Sequence, residues 1–568
     1  MIFSIRYQFK YVIFFLVVLM SSCGGGSSSG NNGGSQPTAS PVNQTLFVDR
    51  TAESGIQFVK GYLNPKEDYM PEEFGGGVAA GDYDNDGDVD LFIVRGDIGK
   101  NLLYRNDGNN SFIDVAFEAG VASTKPDGGV YRHSGPVFAD MDGDGDLDLF
   151  IGGISTDPSL LFRNNGNGTF SDVTVDSGID LLTARETVSV AFGDYDLDGD
   201  LDLMMAHWGT YRPEIDGGPS RGDTESLWRN ESDQNRIRFV SVSEEAEIAP
   251  VIIVGNDGLL QHGEKGLDFD YTFTPAFARL NDDLYPDIIA VADFANTRVF
   301  LNNGEQSSVV TFEDVTDNDV ITDQNGMGLA VGDLDNDGDL DWFVTGIKGS
   351  GQPFGNRLYR NEGGGVFTDA SINGLITDGS WGWGACIADF NLDGVLDIFH
   401  VNGWEDTASN TDYENDTSRL FIGQGGLSYK EQARELGLAD KKRGLGVVCA
   451  DFDNDGDVDI FNTANNRVNS SSFWENIQVD NNFLKVSLKG VGPNTEAAGA
   501  RIKVTVGSVT QMREIMIGNN FTSQNPTEQI FGLGEGAVVD MVEIEWPDGV
   551  TEEFVDVPAG SVVYTQSP

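Results

Sequence analysis

The sequence predicts an all-β fold, a seven-bladed β-propeller followed by a small C-terminal β domain. Three observations carry that expectation: one phrase recurs seven times, each recurrence holds the same order of four short apolar runs, and strand length changes near residue 483. Composition agrees. The 568 residues carry 35 Lys+Arg against 91 Asp+Glu, a net charge of −56, and phosphate contacts need clustered cations, so a nucleic-acid partner is excluded. With 39% hydrophobic and 10% aromatic residues the chain builds packed cores, and 72 Gly point to tight turns between short strands.

At the N-terminus, Arg6 and Lys10 precede an apolar run from Tyr11 to Met20, then Ser21, Ser22 and Cys23. A charged start, a short apolar run and small residues make a signal peptide over residues 1–22, because ten apolar residues are too few to span a bilayer. Met20-Ser-Ser-Cys23 also resembles a bacterial lipobox, with the usual Leu one place early at Leu19. The resemblance implies cleavage before Cys23 and acylation of its thiol. The protein would then sit in the bacterial cell envelope, at the outer membrane or cell surface, as a lipid-anchored protein on the membrane. Residues 23–45, rich in Gly, Ser and Asn, read as a flexible linker, and a coil of about 20 such residues reaches roughly 25 Å.

Residues 46–482 hold the repeats. VAAGDYDNDGDVDLFIV begins at Val78, VFADMDGDGDLDLFIG at Val137 and VAFGDYDLDGDLDLMM at Val190. LAVGDLDNDGDLDWFV begins at Leu329, ACIADFNLDGVLDIFH at Ala385, VVCADFDNDGDVDIFN at Val447, and a worn copy, AFARLNDDLYPDIIAV, at Ala276. Successive copies are 54 to 62 residues apart, except for one step of 85 that holds an insertion between Trp208 and Asn235. In each, a Gly/Ala-rich stretch enters an acidic loop and an apolar run leaves it. A run such as LLYRN or LYRN and a last piece such as FIDVA or FSDVT follow, which makes four strands per blade. A solenoid is the competing architecture. The seventh unit lacks a good last strand, and Leu46-Phe47-Val48-Asp49-Arg50-Thr51 supplies one with no loop before it, so the N-terminal strand is expected to close a ring.

The acidic loops read as metal sites. In Asp82, Asp84, Asp86, Asp88 and Asp90, carboxylates occupy positions 1, 3, 5, 7 and 9, with Gly87 at position 6 for a left-handed turn. The matching sets are Asp140, Asp142, Asp144, Asp146 and Asp148; Asp194, Asp196, Asp198, Asp200 and Asp202; and Asp333, Asp335, Asp337, Asp339 and Asp341. Asp389, Asn391, Asp393, Val395 and Asp397, then Asp451, Asp453, Asp455, Asp457 and Asp459, complete six. Positions 1, 3, 5 and 9 are the expected side-chain ligands and position 7 a backbone carbonyl. Two carboxylates about 4 Å apart repel by on the order of 4 kcal/mol at an effective dielectric of 20, so a divalent cation is needed to gather them. Oxygen ligands without His or Cys select Ca²⁺, at about six sites. Position 12 lies in the outgoing strand and is never Glu, so an EF-hand is excluded. The fourth copy has Arg279 at position 1 and Leu284 in place of Gly, and is expected to hold no metal.

These phrases resemble FG-GAP/VCBS repeats of calcium-dependent propellers. From residue 483 to 568, GARIKVTVG, QMREIMIG, FTSQNPTEQIFGLG and VDMVEIEWPDG resemble the ASPIC/UnbV domain that follows such repeats in cartilage acidic protein and its bacterial relatives. Where that phrase often has His before Phe, this chain has Ile530. The resemblance implies an extracytoplasmic Ca²⁺-dependent propeller and no agreed reaction.

No catalytic set is assembled: the four His are His133, His207, His262 and His400, and no nucleophile or zinc motif is present. His207-Trp208 and His400 with Trp404 fall where second strands end, at the pole opposite the acidic loops, and Trp381, Trp383, Trp404 and the inserted Trp208–Trp228 segment read either as packing between blades or as an aromatic sugar platform there. Arg95-Gly96-Asp97 and Arg221-Gly222-Asp223 read as turn chemistry before integrin recognition. Cys386 and Cys449 lie three and two residues before their loops, hence on opposite strand faces, and read as small buried hydrophobes. The leading function is a binding or adhesion module for a glycan or protein ligand at the pole opposite the calcium loops. A polysaccharide lyase or hydrolase and an envelope scaffold are the alternatives.

Overall fold

The computed structural model describes residues 45–567, except 64–69, 109, 156, 180–185, 209–225, 249–252, 255–259, 262–270, 305–308, 349–353, 405–412, 414–415, 439, 466–469 and 479. Cys23, the signal peptide, all but the last residue of the linker, Arg221-Gly222-Asp223 and His262 lie outside the described residues.

Each repeat starts with a strand that is buried along nearly its whole length, such as Gly77–Gly81, His133–Ala139 or Thr187–Gly193. Gly and Ala dominate there because neighbouring sheets approach closely: a Cβ on Gly193 would stand 2.8 Å from the Phe277 ring. The acidic loop then turns the chain into a second antiparallel strand, with Gly81 opposite Asp90 in the first repeat and Ala139 opposite Asp148 in the second. Among the described residues seven sheets of four repeat strands form in this way, and the fold is an all-β propeller. The first strands pack in sequence order around a ring, and the last of them, Gly444–Ala450, packs against the first, Gly77–Gly81. Strand Phe47–Asp49 completes the last sheet, pairing antiparallel with Ser471–Asn476 in the register Phe47 opposite Asn476. Phe112 of the first sheet meets Phe452 and Phe473 of the last edge-on, each with ring centroids 5.9 Å apart.

The Asn that ends six of the seven third strands, all but Arg419–Gly423, explains the recurring RN pair. Asn164 Nδ2 donates to Tyr83 O (2.8 Å), Asn230 to Met141 O (2.9 Å), Asn302 to Tyr195 O (2.8 Å) and Asn361 to Leu280 O (2.9 Å). Asn476 donates to Phe390 O (2.9 Å), and Asn106 closes the circle on Phe452 O (2.8 Å). Each amide therefore ties one blade to position 2 of the loop before it.

The reading of Cys386 and Cys449 as separate buried hydrophobes is corrected: they form a disulfide, with Cα atoms 6.3 Å apart. Adjacent blades stack face to face, so side chains on opposite faces of neighbouring first strands point at each other.

In the C-terminal part, Gln529–Gly534, Asn482–Lys489 and Gly560–Thr565 form one sheet, while Val509–Glu514, Arg501–Val506, Val538–Glu545 and Thr551–Pro558 form another. Val506 pairs with Val509 across the Gly507-Ser508 turn, where Gly507 has φ 62°. Trp546, Phe531, Ile502 and Val542 pack in the core of this module.

A segment between those sheets, residues 515–528, enters the ring. Its short strand Ser523–Gln524 adds in parallel to Gly77–Gly81, and the Gln524 amide bonds both Phe138 N and Phe138 O at 2.6 Å. Ile517 O accepts from Phe192 N, Asn520 bonds Ala385 N and Val447 O, and Asn525 Oδ1 accepts from Cys449 N. The inner edges of five sheets thus gain hydrogen-bond partners that a bare ring would leave to water.

Candidate metal centres

The acidic loops share one backbone. Gly87, Gly145, Gly199, Gly338, Gly394 and Gly456, all at position 6, have φ between 89° and 99°. Position 4 is left-handed as well, with φ 56° to 61° at Asn85, Leu197, Asn336, Leu392 and Asn454, a feature the sequence reading missed although Asn at three of these positions signals it. The fold makes the carboxylates of positions 1 and 9 into backbone anchors. Asp82 accepts from Asp86 N (3.0 Å) and Gly87 N (2.9 Å), while Asp90 accepts from Tyr83 N (3.2 Å) and Asn106 N (2.8 Å). In the fourth copy Asp287 still accepts from Leu280 N and Asn302 N, both at 2.8 Å, so position 9 is structural even where position 1 is Arg.

Position 3 differs. Oδ1 of Asp84, Asp142, Asp196, Asp335 and Asp453 is buried and has no hydrogen-bond partner, the same atom in five loops. These loops bring together ligand oxygens within 4.8 Å: Asp82, Asp84 and Asp90; Asp140, Asp142 and Asp148; Asp194, Asp196 and Asp202; Asp333, Asp335 and Asp341; and Asp451, Asp453 and Asp455. In the second and fifth loops an Arg from the third strand turns Oδ1 inward by holding Oδ2: Arg163 pairs with Asp142 and Asp144, and Arg360 with Asp335 and Asp337 at 2.7 Å each. A buried anionic oxygen with no partner is costly. An all-oxygen cluster around it fits a divalent cation, and these acidic groups are able to hold one.

In the sixth loop, Asn391 puts an amide at position 3 and its oxygen accepts from Asp393 N (3.1 Å), and the loop gathers no such carboxylate group among the described residues. Asp389 and Asp397 keep the shared anchoring, to Gly394 N (2.7 Å) and Phe390 N (3.0 Å). Asp393 Oδ1 holds Val395 N (3.0 Å). Position-5 Asp86, Asp144, Asp198, Asp337 and Asp455 likewise hold the N–H of position 7, at Asp88, Asp146, Asp200, Asp339 and Asp457. Asp459 closes the seventh loop on Phe452 N and Asn476 N. In the fourth copy the Arg279 guanidinium bonds Asp283 O (2.9 Å) and Glu545 (3.0 Å).

Burial pushes these carboxyls up. Asp82, Asp140, Asp196, Asp200 and Asp453 rise to about 6, Asp194, Asp333 and Asp389 to about 7, Asp341 to about 8 and Asp90 to about 9, each chiefly through desolvation. Asp148, Asp202, Asp397 and Asp459 rise well above the carboxylate range for the same reason.

The C-terminal module meets these loops directly. Lys485 Nζ reaches Asp451 Oδ2 (2.9 Å) and Asn454 Oδ1 (2.6 Å), Thr495 donates to Asp140, and Glu496 accepts from Asp140 N (2.9 Å). Gly532 packs so tightly that a Cβ there would lie 2.0 Å from Asp389 Oδ2.

The model of the FG-GAP-like repeat matches residues 82–151, 140–205, 279–344 and 346–400, and the ASPIC and UnbV model matches residues 490–567. The chain joins FG-GAP-like repeats to an ASPIC and UnbV domain. Cartilage acidic protein 1 of Mus musculus is 24% identical over 562 residues, covering 86% of this chain and 72% of its own, and that of Homo sapiens is 26% identical over 524 residues, covering 86% and 71%. Among solved structures, an Agrocybe aegerita lectin recognising non-reducing terminal N-acetylglucosamine aligns at TM-score 0.38 and 16% identity, over 68% of this chain and 84% of its own. The phrase Phe521 to Gly534 of the ASPIC and UnbV domain begins in the segment that enters the ring of FG-GAP-like repeats.

Of the aromatic candidates, Trp383 and Trp404 are packed, while Trp208 and Trp381 are half-buried. Phe521 stacks near Trp383 (5.1 Å) and Phe273 (5.5 Å), Trp383 meets Trp404 (5.2 Å), and Trp383 and Trp404 are 2% and 9% exposed. Trp383 is therefore part of the wall around the inserted segment. His133, His207 and His400 are fully buried, and burial holds His133 and His400 neutral, down at about 3. Asp97 of Arg95-Gly96-Asp97 pairs with Arg132 (2.8 Å) and accepts from Leu63 N (2.7 Å).

Proposed function

We propose that this chain is a calcium-braced extracytoplasmic binding module, lipid-anchored through Cys23 in the bacterial cell envelope, that takes a glycan or protein ligand at the pole opposite the acidic loops. The observation that carries the calcium reading is the unpartnered position-3 oxygen repeated in five loops. Oxygen ligands on a flexible loop suit Ca²⁺. Each ion would cross-brace the turn between the first two strands of its blade. The Cys386–Cys449 disulfide supports an oxidising compartment. The C-terminal module occupies the loop pole, which favours the other pole for a ligand.

Calorimetric titration of the chelated protein with calcium tests the first half, with five or six ions bound and a rise in melting temperature expected. An equal melting temperature with chelator and with calcium would remove it. A glycan array and an envelope pull-down run beside a turnover assay test the second half. Capture without product is expected, whereas a new reducing end or an unsaturated sugar would replace binding by catalysis.

A further inference from the structure

A cavity of about 110 Å³ lies between the inner ends of the fifth, sixth and seventh sheets and the C-terminal module, with room for several waters. Ala330, Ala385, Leu396 and Val458 line its ring side, and Arg513 and Asn525 line its module side. Arg513 is 6% exposed and stacks its guanidinium 5.0 Å from the Phe531 ring. Of its five N–H donors, it uses one on Met512 O (2.8 Å) and one on Gln511 Oε1 (3.4 Å), and it makes no ion pair among the described residues.

The surrounding carboxylates are all engaged elsewhere. Asp451 pairs with Lys485 (2.9 Å), Glu514 with Arg501 (2.9 Å) and Arg279 N (2.9 Å), and Glu528 accepts from Ser487 Oγ (2.9 Å). The two acids whose charge acts on Arg513, Asp389 and Asp333, hold backbone N–H groups of their own loops. Asn525 uses its oxygen on Cys449 N, and its NH₂ has no hydrogen-bond partner among the described residues. The walls therefore pair every acid they contain and leave one buried cation and one amide donor beside an apolar surface. Asp389 and Asp333 act on Arg513 only through their field, so its remaining N–H donors have no carboxylate to bond, and a carboxylate meets a guanidinium through two parallel hydrogen bonds.

We propose that this cavity binds a short-chain monocarboxylate, its carboxylate on Arg513 and Asn525 and its alkyl end against Ala330, Ala385, Leu396 and Val458. The apolar side separates such a ligand from an inorganic anion, which would gain nothing there.

The test is calorimetric titration of the calcium-loaded full chain with sodium butyrate, against sodium chloride at equal ionic strength. One saturable site is expected for butyrate and none for chloride. Arg513→Gln should abolish binding. Asn525→Asp, which keeps the acceptor for Cys449 N while adding a negative charge, should weaken it at least tenfold without lowering the ligand-free melting temperature. If Arg513→Gln does not fold, Asn525→Asp decides. No saturable butyrate binding by the wild type, equal binding of chloride, or unaltered binding by Asn525→Asp would each overturn the proposal.

Discussion

Leu197 and Leu392 stand in the left-handed region at φ 56°, a conformation that favours Gly or Asn and that the loop imposes on them. Strain of this kind persists where the surroundings over-determine it. In the third loop those surroundings are Asp194, which holds Asp198 N and Gly199 N at 3.0 Å, and Asp202, which holds Tyr195 N (3.1 Å) and Asn230 N (2.8 Å). Asp196 is the member whose Oδ1 has no hydrogen-bond partner. Asp196→Asn is expected to bind one ion fewer in a calcium titration and to lose about 2.7 kcal/mol of calcium-dependent stability at 100-fold excess over Kd. The chelated variant should melt higher than the chelated wild type, because one of several repelling carboxylates is gone; a lower melting point in both states would mark Asp196 as merely structural.

At the scale of elements, the inserted segment and the disulfide act on the same inner strands. Gly77 has φ 129°, and a Cβ there would stand 1.8 Å from Thr522 O, against which Val78 N donates (3.1 Å). Gly77→Ala should therefore push the segment off the first sheet, lower the melting temperature and expose residues 515–528 to limited proteolysis. Cys386 and Cys449 are 63 residues apart, and on the chain-entropy account their bond contributes about 4 kcal/mol. Cys449→Ser should lower stability by that order in denaturant unfolding, and a reductant should do the same to the wild type and nothing further to the variant. The C-terminal strands, their hairpin turn and the four-strand grammar of each blade were legible in the sequence because strand period and turn residues are local signals. The disulfide was not, because pairing across blades depends on how two sheets face each other.

For the whole molecule, the acidic loops set the response to pH. Carboxyls of the ion-free protein stand at about 6 to about 9, above the ordinary unfolded value of about 3.9, so the folded state binds more protons than the unfolded one. Stability of the chelated protein should fall as pH rises from about 4 through that range. Bound calcium should favour the ionised form and so reverse the slope. Thermal melts between pH 5.5 and 8 should therefore rise on acidification with chelator and fall with calcium; parallel slopes would contradict the cation reading. The sequence by itself determined the repeat, the propeller, the closing strand Phe47–Asp49 and the acidic loops, because each is written as residue type at fixed spacing. Tertiary structure alone decided that Gln524, Asn520 and Asn525 complete the inner sheet edges, that the C-terminal module sits on the loops, and that Arg513 faces a cavity. Those contacts join residues distant in sequence, such as Asn525 and Cys449, 76 positions apart, or Gln524 and Phe138, 386 apart, and no local periodicity encodes which edge a distant segment will satisfy.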